Sequence, residues 1–184
     1  MVTQTRLTLD EFLAMPDVDE RRLELIDGEV YEKVSPRWGH SRLAGIICQL
    51  LNEFGYAGVE PRAVIAPRQD RGPSSPLPDV AFYRSDPPAE DDWMRSPPHV
   101  AVEIASPGQS RLEMRAKADM YVAFGVESVW VVYPQNRTIE VYESGTRRTL
   151  ASGDFLTSPA VPGLEAPVDR VFDVLDEKKP GPKS

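Results

Sequence analysis

Residues 100–105 read VAVEIA, a nearly continuous apolar run that contains one acid, Glu103. Such a run is typical of a central strand that is covered on both faces of its sheet. Successive side chains of a strand point to opposite faces, so Glu103 points away from Val102 and Ile104 and shares its face with small alanines. A carboxylate in this position costs free energy unless it is protonated, paired or bound to a cation.

The partner expected for Glu103 is Asp79, which follows Pro78 and opens the run VAFY over residues 80–83. That run predicts a second strand, and two adjacent strands can bring two carboxylates around one ion. Mg²⁺ favours oxygen ligands of this kind and leaves its other positions to water and substrate phosphate. The alternative is an ion-paired core glutamate and a turn aspartate, and the residues alone do not separate the two interpretations.

Lys117 is the third candidate, on the helix predicted to follow the strand of Glu103. If that helix folds back over the strand, Lys117 points at the acids, where it could orient a water or stabilise charge on a phosphate. Glu113 lies one helical turn earlier, so a surface pair between Lys117 and Glu113 is the alternative that spacing favours.

Glu24 and His40 are weaker candidates for the same site. Glu24 lies between two leucines on the first predicted strand, so it could face the cleft, although a solvated hairpin position is more common. His40 lies at the start of an amphipathic helix and could contact phosphate or transfer a proton. A histidine that is satisfied at the helix start is the alternative for His40.

The remaining pattern predicts a mixed α/β domain over residues 1–174 and a disordered tail over 175–184. The predicted elements are a short helix from Thr8, a hairpin over 23–31, a helix over 38–54, strands over 59–66, 80–83 and 100–105, a helix over 110–125, and strands over 129–133 and 138–143. A loop is predicted over 70–77, an exposed loop over 84–98, and irregular structure past about 151 apart from a short piece near Val171. The residues expected on the buried face of the second long helix are Leu112, Ala116, Met120, Tyr121 and Phe124.

Composition excludes several classes of protein. The chain has 184 residues, of which 41% are hydrophobic and 27% charged, as expected of one soluble domain. No apolar run approaches the ~20 residues that cross a bilayer, and the N-terminus lacks a signal peptide, so a cytoplasmic location without membrane contact is expected. A single cysteine excludes an intrachain disulfide and a multi-cysteine zinc site. The net charge of −8 counts against tight sequence-independent binding of DNA.

A series of short motifs, taken in order, resembles the Uma-two family, whose members are described as restriction endonucleases. The motifs are LELIDGE (23–29), His40 opening a long helix, LPDV (77–80), VEIASP (102–107), Lys117 followed by Tyr121, and GVESVWVV (125–132). The resemblance runs from about residue 7 to residue 164. It implies a restriction-endonuclease-like fold, in which a mixed central sheet is flanked by helices.

The resemblance also implies roles for individual residues. Asp79 and Glu103 correspond to the two acids of the Pro-Asp…Glu-X-Lys motif of that nuclease superfamily. The motif's lysine normally lies two residues after the glutamate, where this chain has Ala105, and the family pattern places it on the following helix, which Lys117 matches. Glu24 matches the early acid of the fold, and His40 matches the family's helix-start histidine.

The expected activity is hydrolysis of DNA by an endonuclease that uses Mg²⁺ or Mn²⁺. The metal would be held by Asp79, Glu103 and a backbone carbonyl, expected to be that of Ile104. A homodimer is expected by analogy with the fold, because two strands are usually cut by two subunits. The alternatives are a catalytically inactive DNA- or protein-binding module, which the charge and Ala105 favour, and a hydrolase of another phosphoester.

Overall fold

The computed structural model describes residues 6–66, 72–89 and 92–176. The helices are α1 (Leu9–Leu13), α2 (Trp38–Leu51), α3 (Arg111–Phe124) and α4 (Val168–Phe172), followed by a 3-10 turn (Asp173–Leu175). The strands are β1 (Leu23–Ile26), β2 (Glu29–Glu32), β3 (Tyr56–Val59), β4 (Val80–Tyr83), β5 (Val100–Ile104), β6 (Ser128–Tyr133), β7 (Thr138–Glu143), β8 (Thr146–Leu150), β9 (Phe155–Ser158) and β10 (Val161–Pro167).

A six-stranded mixed sheet forms the centre of the molecule, in the order β3-β4-β5-β6-β7-β8. Strands β5 and β6 are parallel, and the other neighbouring pairs are antiparallel. Parallel neighbours require a crossover connection, and α3 provides it. The predicted fold class, a mixed sheet flanked by helices, is therefore confirmed.

The central strand β5 separates two hydrophobic cores. Its residues Val100, Val102 and Ile104 face a core that includes α2, β9, β10 and α4. Ala101 faces the other core, which includes the inner residues of α3. All five residues of β5 are buried, as predicted for a strand covered on both faces. Because side chains alternate, Glu103 lies on the α3 side of the sheet.

Local signals set the ends of the helices. Both predicted capping boxes are present, from Thr8 to Glu11 at α1 and from Ser110 to Glu113 at α3. Helix α3 ends at Gly125, whose positive φ of 107° favours glycine. Among the described residues, no helix combines the length and the apolar character needed to cross a bilayer.

The predicted buried face of α3 is wrong at two positions. Leu112 is 78% exposed and Ala116 is also exposed. The buried positions on this helix are Met114, Ala118, Met120, Tyr121 and Phe124. Leu112 precedes Met114 by two residues, and two residues rotate a helix by more than half a turn, so Leu112 lies on the side facing away from the sheet.

The predicted strand over 59–66 is also wrong, because β3 ends at Val59. Glu60 has a positive φ of 51° and the next residue is Pro61, which has no N–H to donate, so the ladder stops there. Ala63 nevertheless forms an isolated bridge to Met94. Met94 is buried, so the segment 84–98 is not exposed throughout as predicted.

The C-terminal third is more regular than the sequence pattern predicted. Strands β9 and β10 pair with each other, and their residues Leu156, Val161 and Leu164 are buried in the core beside α2. The prediction of irregular structure past residue 151 is therefore wrong, and β8 was not predicted. Leu175 ends the 3-10 turn and Asp176 pairs with Arg137, whereas 177–184 of the predicted tail and 70–71 of the predicted loop lie outside the described residues.

Buried Arg62 ties the N-terminal segment to the rest of the fold. Its guanidinium donates to the Asp19 carboxylate at 2.7 Å and to the carbonyl oxygens of Leu23 at 3.0 Å and Val18 at 3.3 Å. One of these bonds holds Leu23, the first residue of β1, which is the strand that carries Glu24.

Replacing Arg62 tests the importance of this anchor. Arg62→Met is expected to lower the free energy of unfolding by about 3 kcal/mol, because the carbonyl oxygens of Leu23 and Val18 and the carboxylate of Asp19 each lose a hydrogen bond from a charged donor. Arg21→Ala is the matched control, because Arg21 forms a solvent-exposed ion pair with Glu32 and such pairs contribute less than about 1 kcal/mol. Urea unfolding measures both variants, and similar small changes in the two would show that Arg62 is not an anchor.

Candidate active site

The two predicted acids meet at one end of the antiparallel pair β4 and β5. The register pairs Val80 with Val102 and Ala81 with Ala101, and its continuation by one residue places Asp79 opposite Glu103. Side chains in directly opposed positions have Cβ atoms roughly 5 Å apart. Asp79 is 1% exposed and Glu103 is 3% exposed, and both line one cleft of about 820 Å³. The structure therefore brings the two acids together.

Asp79 receives hydrogen bonds at both carboxylate oxygens. Oδ1 accepts one from Lys33 Nζ at 2.6 Å, and Oδ2 accepts one from the backbone N–H of Ile104 at 2.6 Å. His40 Nε2 lies 3.2 Å from Oδ2. Burial alone would raise the pKa of Asp79, but the His40 hydrogen bond and the charge of Lys33 lower that pKa to about 2. Asp79 is therefore ionised at neutral pH.

Glu103 has weaker charge partners than Asp79. Its Oε1 accepts a hydrogen bond from the Tyr121 hydroxyl at 2.8 Å, and Lys117 Nζ lies 3.4 Å from both of its oxygens. Burial raises the pKa of Glu103 above its ordinary value, although Lys117 and Lys33 oppose the rise. In the absence of another cation, Glu103 is therefore the acid of the pair that is more readily protonated.

Lys117 points into the cleft, where it joins Glu24 to Glu103. Its Nζ lies 3.0 Å from Oε2 and 3.1 Å from Oε1 of Glu24. Glu113, the alternative partner suggested by helical spacing, instead accepts from the backbone N–H of Ser110 at 2.7 Å. Burial would lower the pKa of Lys117, but Glu103 and Glu24 outweigh it and raise the pKa, so Lys117 stays protonated.

Glu24 is buried in the same cleft and is not a solvated hairpin residue. Besides Lys117, its Oε1 accepts a hydrogen bond from the backbone N–H of Leu77 at 2.9 Å. Leu77 lies two residues before Asp79, so this bond helps to fix the segment that leads into the first acid.

His40 contacts two of the predicted metal ligands. Its Nε2 lies 3.1 Å from the carbonyl oxygen of Ile104 and 3.2 Å from Oδ2 of Asp79. His40 Nε2 therefore contacts both oxygens, which lie on the same part of the cleft. His40 is placed there by the first turn of α2, which begins at Trp38.

Lys33, which the sequence interpretation missed, completes the cluster. It follows β2 directly, and its Nζ donates to the carbonyl oxygen of Leu77 and to Oδ1 of Asp79, both at 2.6 Å. Burial lowers the pKa of Lys33, but Glu103 and Asp79 outweigh it and raise the pKa. The hairpin register contained a signal, because Glu24 pairs with Tyr31 and Lys33 lies two residues further on the same face.

The donor atoms at the cleft suit a hard cation. Within residues 6–66, 72–89 and 92–176, no three or more His, Cys, Asp or Glu side chains are arranged to hold a metal ion. The set that the geometry offers is two carboxylates, from Asp79 and Glu103, and the carbonyl oxygen of Ile104. Mg²⁺ commonly binds one or two protein carboxylates and keeps several waters, so this set fits Mg²⁺ or Mn²⁺.

Comparison with known proteins identifies the family of this chain. The Uma2 family model, described as "Putative restriction endonuclease", matches residues 9–169. The chain belongs to this family. Membership in Uma2 supports a nuclease function. A crystal structure of a "putative nuclease" from Anabaena variabilis has the same fold, with 24% sequence identity, a TM-score of 0.78, and coverage of 92% of this chain and 99% of that one. A search of curated proteins finds no match.

Proposed function

We propose that this Uma2 protein is a nuclease that hydrolyses phosphodiester bonds of DNA with the help of Mg²⁺ or Mn²⁺. One observation carries the proposal. Asp79 Oδ2 and the Ile104 carbonyl oxygen converge on a single nitrogen of His40, and Glu103 lies opposite Asp79 in the strand register. Restriction-endonuclease-like families generally use divalent metal ions, which agrees with this set of oxygens.

Asp79, Glu103 and the carbonyl oxygen of Ile104 are the residues that would hold the ion. When bound, a divalent ion supplies an acidified water and neutralises charge on the phosphate. Tyr121 donates to Glu103 and thereby fixes the orientation of this carboxylate. Glu24 holds Lys117 in place through its two oxygens.

Lys33 and Lys117 supply positive charge in this mechanism. The pKa values of Lys33 and Lys117 are both raised, so neither amine is free to remove a proton from water at neutral pH. Both ammonium groups lie beside the acids, where they can stabilise negative charge that builds on a phosphate oxygen. Lys117 therefore supplies the positive charge that the motif's lysine would supply at the position of Ala105. Lys33 supplies a second positive charge.

The charges of the buried cluster favour a phosphodiester as substrate. Counted at their formal charges, the buried carboxylates of Glu24, Asp79 and Glu103 outnumber their partners Lys33 and Lys117 by one. One divalent cation together with one phosphodiester, which carries a single charge, would make the cluster neutral. A phosphate monoester carries up to two charges and would leave the cluster negative, which a nearly buried site disfavours.

The direct test is cleavage of circular DNA. Plasmid and single-stranded circular DNA are incubated with the protein in Mg²⁺, in Mn²⁺ or in EDTA, and the products are separated on gels. We expect cleavage in either metal and none in EDTA, and Asp79→Ala and Glu103→Ala should both be inactive. Equal cleavage by the wild type and both variants would eliminate the assignment. Two-fold assembly of the active enzyme stays a prediction.

An inactive binding module is the second candidate. The observation that favours it is that Asp79 already has donors at both oxygens, as a purely structural carboxylate would. Calorimetry with Mn²⁺ separates the two functions. Metal binding that disappears in Asp79→Ala supports the nuclease, whereas no heat above background in the wild type supports the module.

A further inference from the structure

One wall of the cleft carries an aromatic ring that the proposed chemistry does not use. Tyr31 lines the cleft and is 50% exposed, on the hairpin face that also carries Glu24. Its hydroxyl donates to Glu29 Oε2 at 2.9 Å, which fixes the orientation of the ring. A half-exposed aromatic ring beside an acidic cluster offers a flat surface that the metal and the phosphate do not need.

Apolar side chains also line the cleft. Val34 is 76% exposed three residues after Tyr31, and Met114 and Met120 of α3 line the cleft together with Ile26. Methionine side chains are polarizable and make favourable contacts with aromatic rings. Tyr31 together with these apolar side chains suits a flat aromatic group.

The depth and size of the cleft also favour an organic group that is larger than a phosphate. The acids are 1% to 4% exposed, so a phosphate that reaches them must enter the cleft. The cleft volume of about 820 Å³ lies within the range that encloses a small organic ligand, which is far more than a hydrated ion and a phosphate require. The base of the entering nucleotide is the group that can fill the remaining volume of the cleft.

Net charge supplies an independent argument. A chain with a charge of −8 gains little from sequence-independent phosphate contacts, so other contacts must contribute to affinity for nucleic acid. In proteins that bind single strands, stacking of bases on aromatic side chains is a usual source of this affinity. A paired base within a duplex is held in its stack and cannot stack on Tyr31 without being extruded.

We infer that Tyr31 and the apolar side chains that line the cleft bind an unpaired nucleobase next to the acids, so that the preferred substrate is single-stranded or locally unpaired DNA. This inference rests on the proposed nuclease function for its substrate class. Tyr31 is then a specificity-determining residue: its ring stacks on the base, while its hydroxyl only orients the ring through Glu29.

Binding without cleavage tests the inference. A short labelled single-stranded oligonucleotide of mixed sequence and the duplex of the same sequence are titrated with protein in EDTA, and anisotropy gives the dissociation constants. We expect the single strand to bind at least about fivefold more tightly, and Tyr31→Ala to weaken its binding roughly tenfold. Tyr31→Phe keeps the ring and should stay within about twofold of wild type.

Two controls make the result specific. Tyr56→Ala removes a tyrosine that is 57% exposed on β3 and does not line the cleft, so it should leave binding unchanged. With an oligonucleotide of abasic nucleotides, Tyr31→Ala should have no effect, because there is no base to stack. Thermal unfolding confirms that each variant is folded.

The inference is overturned if the duplex binds as tightly as the single strand, or if Tyr31→Ala behaves like Tyr56→Ala. It is also overturned if sedimentation shows that Tyr31→Ala alters only self-association, since the apolar side chains that line the cleft would then contact a second copy. Its failure is distinct from failure of the nuclease proposal. If the protein cleaves DNA but prefers duplex, only the inference about Tyr31 is wrong. If single strands stack on Tyr31 but no DNA is cleaved, only the nuclease proposal is wrong.

Discussion

Glu103→Gln is expected to abolish DNA cleavage and to leave the fold at least as stable as the wild type. The amide is a poorer ligand for a divalent cation than the carboxylate, and loss of metal-dependent stabilisation should lower the cleavage rate by at least about a thousandfold. Burial raises the pKa of Glu103, which means that the folded state disfavours its charge. Lys117 keeps Glu24 at 3.0 Å, and the Tyr121 hydroxyl can still donate to the amide oxygen.

The matched variant Asp79→Asn should also abolish cleavage, but at a cost in stability. The pKa of Asp79 is lowered to about 2 by the His40 hydrogen bond and by Lys33, so the folded state favours its charge, by about 2 kcal/mol at neutral pH. Because this pKa is lowered, the contribution is present above the ordinary carboxyl pKa and is lost as the pH falls toward 2. Asp79→Asn also deprives nearly buried Lys33 of its close carboxylate partner.

Cleavage rates and thermal unfolding of the metal-free proteins measure the contrast. The expected pattern is two inactive variants, of which only Asp79→Asn melts at a lower temperature than the wild type. Glu103→Gln that retains cleavage within about tenfold of the wild type would contradict the assignment of Glu103 as a metal ligand. A Glu103→Gln protein that melts well below the wild type would contradict the argument that burial penalises its charge.

The pairing of the two acids could be predicted because it depends on local rules. Alternation along an apolar strand places Glu103 on one face, and a proline before Asp79 marks the entry to the neighbouring strand. The direction of Lys117 also depends on a short-range feature, since α3 is the crossover between adjacent parallel strands and must pack on their face. These are the parts of the site that lie on the central sheet.

Lys33 could not be found in the same way, because β1 and β2 form a separate two-stranded sheet. The hairpin is held against the segment before Asp79 by backbone bonds between Leu25 and Ser75, 50 residues apart in the chain. No periodicity within either segment specifies that contact. The strands β9 and β10 were missed for a related reason, since they are short and become buried only by covering the face of the sheet beside α2.

Lys33→Met is expected to bind Mn²⁺ more tightly than the wild type and to cleave DNA more slowly. Lys33 Nζ lies 2.6 Å from Asp79 Oδ1, so its charge competes with any cation at that carboxylate. Two unit charges about 4 Å apart interact with about 4 kcal/mol at an effective dielectric constant of about 20, and both charges of a divalent ion are repelled in this way. After allowance for the lost ion pair, we expect Mn²⁺ affinity to rise at least about tenfold.

Cleavage by Lys33→Met should nevertheless fall about a hundredfold, because one of the two ammonium groups that stabilise charge on the phosphate is gone. Lys117→Met is the matched variant: Lys117 is bound mainly to Glu24 and lies 3.4 Å from Glu103, so its removal should slow cleavage with a smaller gain in Mn²⁺ affinity. Calorimetry and cleavage assays on the same protein samples separate the two effects. A Lys33→Met protein with unchanged Mn²⁺ affinity and normal cleavage would show that Lys33 only supports the fold, because a charge that acts on a metal ligand or on the phosphate must alter at least one of these quantities.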